Sequence, residues 1–155
     1  MDAQIRDTLV QKLNGQVEGT CSGQYGYIIC VTNITKQDKA VVHDDGTVSF
    51  KVGFTAIVCR PFKGEVVDAV VTQVNKLGIF AEFGPVNAFV SKHQMPSDME
   101  FQEQLIPQKY VSRDNKIAIK KGDEVRLKII GTSVNAQQLC VVGSIKEDFM
   151  GPIGY

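Results

Sequence analysis

Between residues 64 and 84 the chain reads GEVVDAVVTQVNKLGIFAEFG. From Gly64 to Val74 this reads as one long strand with apolar side chains on both faces, and such a strand must be covered on both sides. A bent strand shared between the two halves of a small closed barrel meets that demand. Alternation then resumes after Lys76-Leu77-Gly78. In an extended strand, alternate side chains share a face, so Ile79, Ala81 and Phe83 point one way and Phe80 and Glu82 the other. A face that carries Glu82 is wet, which places Phe80 outside.

The remaining β segments follow the same logic. Residues 77–83 and 88–90 read as short strands joined by Gly84-Pro85-Val86-Asn87, and 125–130 and 139–145 as two more. A polar stretch at 94–116 separates the third from the fourth, with Pro96 and Pro107 inside it and its best helical turn near 97–104. Five strands with an insertion between the third and fourth describe an OB barrel. Counting faces along these strands buries Ala88, Val90, Val125, Leu127 and Ile129. It leaves Phe89, Ser91 and His93 outward on one strand, and Arg126 and Lys128 outward on another.

Ahead of this barrel the pattern changes. Ile5, Leu9, Val10 and Leu13 share one helical face, and Asn14-Gly15 supplies a stop, so a helix is expected over 5–13. Strands are expected over 16–21, 25–31 and 54–59, with a hairpin whose arms, 41–42 and 48–50, flank the turn HDDGT. The whole reads as α+β, mostly β: an amino-terminal α+β domain at 1–61 and an OB domain at 62–155.

Seventeen basic residues balance seventeen acidic ones, so no global field draws the chain to a polyanion and any nucleic-acid contact must be local. Cys21, Cys30, Cys59 and Cys140 form no CxxC pair; Cys30 and Cys59 lie in apolar runs and are expected in the core. With two histidines, a zinc site is not expected. Neither a signal peptide nor an apolar run of spanning length is legible, so a soluble intracellular protein is expected, with no membrane partner. No phosphate loop, paired catalytic carboxylates or triad spacing occurs. Asp44-Asp45 belongs to the turn at Gly46, Asp123-Glu124 to the approach of a strand, and Ser22 and Ser91 have no suitably spaced histidine. No catalytic residue, metal or cofactor is expected.

An outward Phe80–Phe89 pair beside Arg126 and Lys128 is the layout of a single-stranded nucleic-acid platform, with bases on the rings and cations on the phosphates. The pattern equally admits two aromatic rings that cover a barrel seam or dock a neighbouring domain.

The stretch from Gly64 through HQMP at 93–96 resembles the RNA-binding OB module first described in a small-subunit ribosomal protein. Gly78, Ile79, Phe80 and Ala81 match its glycine-led turn into strand two, and Phe80 falls where that family stacks RNA. Leu77, Ser91 and Gln138 stand where the family often has an aromatic, a histidine and a basic residue. The resemblance with these departures implies weak, sequence-indifferent RNA binding through Phe80, Phe89, Arg126 and Lys128, with Lys76 as a further contact.

VEGTCSGQYGYIICV at 17–31, RPFKGEVVDAVV at 60–71 and GSIKEDFMG at 143–151 resemble, in order, the stalk-subunit family of eukaryotic RNA polymerase II, that of its seventh-largest subunit. The resemblance implies a non-catalytic nuclear polymerase subunit whose truncated ribonucleoprotein-like domain docks on the core enzyme. Gly23, Tyr25, Gly26 and Tyr27, with Pro61, Phe62 and Gly64, are the expected docking residues. A smaller helical stalk subunit is the expected heterodimer partner, and emerging single-stranded RNA the expected ligand of the OB domain. The family opens with a strand and loop ahead of the helix, whereas this chain starts at the helix. Either the sequence is incomplete or its first sheet is one strand short. The alternatives are a free-standing RNA-binding protein that uses the OB barrel alone, which is of a different class, or the equivalent stalk subunit of another nuclear or archaeal RNA polymerase.

Overall fold

The computed structural model describes residues 2–135 and 138–154. Its chain divides into two compact units, Met1–Arg60 and Pro61–Tyr155.

The first unit opens with helix α1 (Asp2–Val17). Asn14-Gly15 does not stop it: Glu18 N–H still donates to Asn14 O at 3.0 Å. An interior glycine costs a helix only about 1 kcal/mol, less than the turn's bonds return. The terminator is Gly19, whose φ of +76° is the left-handed conformation that closes helices. The strand expected over 16–21 therefore shrinks to β1 (Cys21–Ser22).

Next come β2 (Gly26–Gln37), the hairpin β3 (Val41–Val42) and β4 (Val48–Ser49), and β5 (Val52–Cys59). A three-stranded sheet runs in the order β1-β2-β5, and the hairpin pairs Val41 with Ser49 as the Asp-Gly turn anticipates. Three register shifts interrupt the β2–β5 ladder. Among the described residues of this unit, Gly26 alone is fully buried. Cys30 and Cys59, expected in a core, are half-buried, and Ile29, Ile57 and Val58 are exposed. Their strands are paired edge to edge, and the contact of α1 with β2 leaves these side chains short of full burial.

The second unit is built otherwise. β6 (Val66–Asn75), β7 (Gly78–Phe83) and β8 (Val86–Ser91) form a meander, followed by a 3₁₀ turn (Lys92–Gln94). An insertion of β9 (Met99–Gln102), β10 (Lys109–Ser112) and β11 (Ala118–Lys120) comes next. β12 (Glu124–Val134), β13 (Leu139–Ser144) and the short β14 (Gly151–Pro152) complete the chain. The order β13-β8-β7-β6-β12 closes on itself through β12–β13, giving a five-stranded barrel with the parallel β8–β13 pair of an OB fold. Ile79, Ala81, Ala88, Val90, Val125, Leu127 and Ile129 fill it. Phe83, expected inward with Ile79 and Ala81, is only half-buried, because it is the last residue of its strand and faces the barrel's rim.

The insertion is a small three-stranded sheet rather than a polar loop with a helical turn. Its few apolar residues fall at cross-strand positions. Phe101 and Tyr110 are register partners with ring centroids 5.3 Å apart, a pairing that holds strands better than composition suggests. Tyr110 also donates its hydroxyl to Asn75 O at 2.7 Å, tying the insertion to the end of β6.

Candidate nucleic-acid interface

Phe80 and Phe89 are directly opposite one another on β7 and β8. Their ring centroids are 4.8 Å apart with planes tilted by 39°. Phe80 is 38% exposed, Phe89 less so, and the residues flanking them, Ile79, Ala81, Ala88 and Val90, are in the core. The rings thus lie on a rigid sheet rather than a loop. Gly78 makes the turn into this strand possible: its φ is +155°, and a Cβ there would strike Val90 O. Asn75 Oδ1 accepts from Leu77 and Gly78 N–H, which closes the hairpin.

The outer face can be laid out row by row from the registers. Val142, Phe89, Phe80 and Gln73 make one row across β13, β8, β7 and β6. The adjacent row is Cys140, Asn87, Glu82, Val70 and Glu124, so it carries two carboxylates. Beyond it stand Asp68 opposite Arg126, and then Val66 opposite Lys128. Gln73 and Asp68 are five positions apart on β6, about 17 Å at about 3.3 Å per residue. The sequence pattern put Arg126 and Lys128 beside the aromatic pair; the register puts an acidic row between them.

Both cations are also engaged. Arg126 Nε and Nη2 donate to the two Asp68 carboxylate oxygens at 2.8 and 3.2 Å. Lys128 Nζ donates to Glu147 at 2.9 and 3.1 Å. The Arg126 guanidinium holds the Asp68 carboxyl below the usual carboxylate value, and Asp68 in turn raises Arg126.

Two other cations stand at the ends of the strands that carry the rings. Lys76 is in the β6–β7 turn, and Lys92 follows the strand that carries Phe89, its N–H donating to Leu77 O at 3.0 Å. Both are exposed, and among the described residues neither enters an ion pair. Sequence reasoning had Lys76 but missed Lys92. The signal was available, since Lys92-His93 continue directly from the outward Ser91.

The residues expected to dock on a larger assembly fall in two turns. Gly23 and Tyr25 occupy the β1–β2 turn, with Tyr25 58% exposed and Tyr27 half-buried. Gly26 has a structural reason of its own: at φ +83° a Cβ would meet Cys59 O and Arg60. In the second unit Pro61 is buried and Phe62 59% exposed. Gly64 N–H donates to Ile129 O at 2.6 Å, which pins that turn to the barrel. Among the described residues no group of three or more His, Cys, Asp or Glu side chains converges as a metal site.

A family model described as the S1 RNA binding domain matches residues 60–141. A second, described as the SHS2 domain found in the N terminus of Rpb7p/Rpc25p/MJ0397, matches residues 1–47. The chain is 51% identical to DNA-directed RNA polymerase II subunit RPB7 of Glycine max, over 96% of this chain and 85% of that one. The subunit rpb7 of Schizosaccharomyces pombe is 49% identical over 95% of this chain and 86% of that one. That of Saccharomyces cerevisiae is 40% identical over 96% and 88%.

Proposed function

The chain belongs to the family of DNA-directed RNA polymerase II subunit RPB7, and from that premise we propose that it is a non-catalytic subunit of nuclear RNA polymerase II. Its first unit joins the core enzyme to a smaller helical stalk subunit. Its barrel offers an aromatic surface to emerging RNA during initiation and elongation.

The observation that carries the assembly role is the state of the first unit. Among the described residues before Pro61, no side chain is fully buried, while Ile29, Val41, Val42, Val48, Ile57 and Val58 are exposed. Sixty residues of helix and sheet without a dry core lack the burial that stabilises small domains. Exposed apolar surface of this extent marks an interaction site. The docking residues follow from it: Tyr25 and Phe62 as exposed aromatic anchors, Gly23, Gly26 and Gly64 as the shapes of their turns, and Tyr27 and Pro61 as supports.

For RNA, Phe80 and Phe89 stack bases while Lys76 follows the phosphates. Arg126 and Lys128 join only by exchanging their carboxylate partners for phosphate. Balanced charge and one ring pair make this contact weak and indifferent to sequence. The relatives' names do not favour a free-standing RNA-binding protein.

Affinity purification of the tagged chain from native extract tests the assembly role. The large polymerase subunits should co-purify at near-equal stoichiometry, and the chain expressed alone should aggregate until its stalk partner is co-expressed. A monodisperse monomer that carries no polymerase subunit overturns it.

A further inference from the structure

β6 departs from regular alternation at one point. Val71 pairs with Ala81 and Gln73 with Phe80, so two residues, Thr72 and Gln73, oppose the single residue Phe80. This is a β-bulge, and its consequence is visible in burial. Val71 and Val74 both point into the core, and both residues between them turn outward. Thr72 Oγ1 donates to Phe80 O at 3.3 Å, which locks the bulge to the ring-bearing strand.

The bulge is the floor of a cleft of about 380 Å³ lined by Thr72, Gln73, Val74, Pro107, Gln108 and Lys121. Its walls come from the insertion: Pro107-Gln108 from the loop before β10, and Lys121 from the turn after β11. Gly122 N–H, next to Lys121, donates to Val71 O at 2.8 Å, so that wall is fastened to the strand under the bulge. The volume falls in the range of about 300–1,000 Å³ that small-ligand sites occupy. Two side-chain amides, a hydroxyl, an ammonium and a proline ring converge there. That set can hydrogen-bond a base edge or a ribose hydroxyl, neutralise one phosphate and cover one sugar or base face. Lys121 is exposed and in no ion pair among the described residues. The nearby Asp123 carboxylate is occupied by Lys120 N–H at 3.0 Å.

We infer that this cleft is a second nucleotide subsite, taking the nucleotide that follows the one stacked on Phe80 in the same single strand. Gln73 belongs to both places: it is Phe80's register partner and the cleft's floor. The inference rests on the stacking role proposed for Phe80. It adds a path that crosses β6 toward the insertion, alongside the row of Glu82, Val70 and Glu124.

Fluorescence-anisotropy titrations with oligouridylates of increasing length, on the full chain in the complex in which it purifies, test both parts. Phe80→Ala should weaken every length. Gln73→Ala and Lys121→Ala should leave the shortest binding oligomer unchanged and weaken longer ones by roughly three- to tenfold. Lys121→Ala should reduce the salt slope by about one, and Lys121→Arg should restore it. Gln73 and Lys121 are exposed, so unchanged melting curves are expected for their variants. If Phe80→Ala weakens binding while the Gln73 and Lys121 variants match the parent at every length, the cleft is only a hydrated recess and the inference is lost. If Phe80→Ala changes nothing while the cleft variants weaken binding, the stacking role fails and the cleft stands alone. If none of the three changes binding, both are overturned.

Discussion

Arg126 on β12 grips Asp68 on β6 with two parallel hydrogen bonds of 2.8 and 3.2 Å, across 58 residues of sequence. A guanidinium already matched to a carboxylate brings no net charge to a phosphate. This pair therefore decides how much of the barrel's outer face RNA can use.

Asp68→Asn should release Arg126, tighten RNA binding at low salt and steepen its salt dependence by about one unit of slope. The double variant Asp68→Asn/Arg126→Ala should change affinity by less than about twofold, because removing a whole neutral pair removes little field. Titrations at several ionic strengths measure both; a large loss in the double variant would mean that RNA displaces Asp68 from Arg126.

The same pair sets an acid-side dependence. Arg126 lowers the Asp68 carboxyl, so its contribution to folding is complete above the unfolded-state value near about 4 and is lost as pH falls through the lower folded value. The difference in melting temperature between the parent and Asp68→Asn should shrink over that window. Melts on a pH series check it.

Phe80→Ala should weaken single-stranded RNA binding by roughly five- to a hundredfold, the about 1–3 kcal/mol of one stacked base. It should also cost the fold about 1 kcal/mol, since the ring loses Phe89 at 4.8 Å. Parallel melts and RNA titrations read the two effects separately. A drop in melting temperature with RNA affinity intact would instead make Phe80 a packing residue.

Ile79→Ala should cost about 2–5 kcal/mol, because Ile79 is fully enclosed. Phe83→Ala should cost less than the about 3–5 kcal/mol of a fully buried ring, because Phe83 stands half-buried at the rim. Chemical denaturation measures both; a Phe83→Ala cost as large as that of a fully buried ring contradicts its place at the rim.

Tyr110→Phe should destabilise the barrel by about 1 kcal/mol, since it removes the bond to Asn75 O and leaves that carbonyl short of a partner. Burial raises the Tyr110 phenol above its ordinary value, so its contribution is complete below about 10 and lost as pH climbs through the raised folded value. The variant should lack that alkaline loss, which melts between neutral and strongly alkaline pH would reveal.

What the chain declares on its own is whatever depends on neighbours in sequence. The face of Phe80, the burial of Ile79 and Ala81, the five barrel strands and the Asp-Gly hairpin all follow from a period of two and from turn chemistry, and each recurs in the structure. Local signals fail where a local preference is outweighed. Gly15 stays helical because the turn beyond it still forms its bonds, and the insertion becomes a sheet because Phe101 and Tyr110 meet across strands.

The tertiary structure alone decides the rest, and the reason is register. Whether Arg126 stands beside Phe80 or opposite Asp68 depends on how β6, β7 and β12 slide along one another, which no pattern within a single strand encodes. The bulge at Thr72 belongs to the same class, because one extra residue is visible only against the partner strand it fails to match. Alternation made the surface residues of this barrel legible. Only pairing between distant strands could determine which of them are neighbours, and hence which cations are free to meet a phosphate.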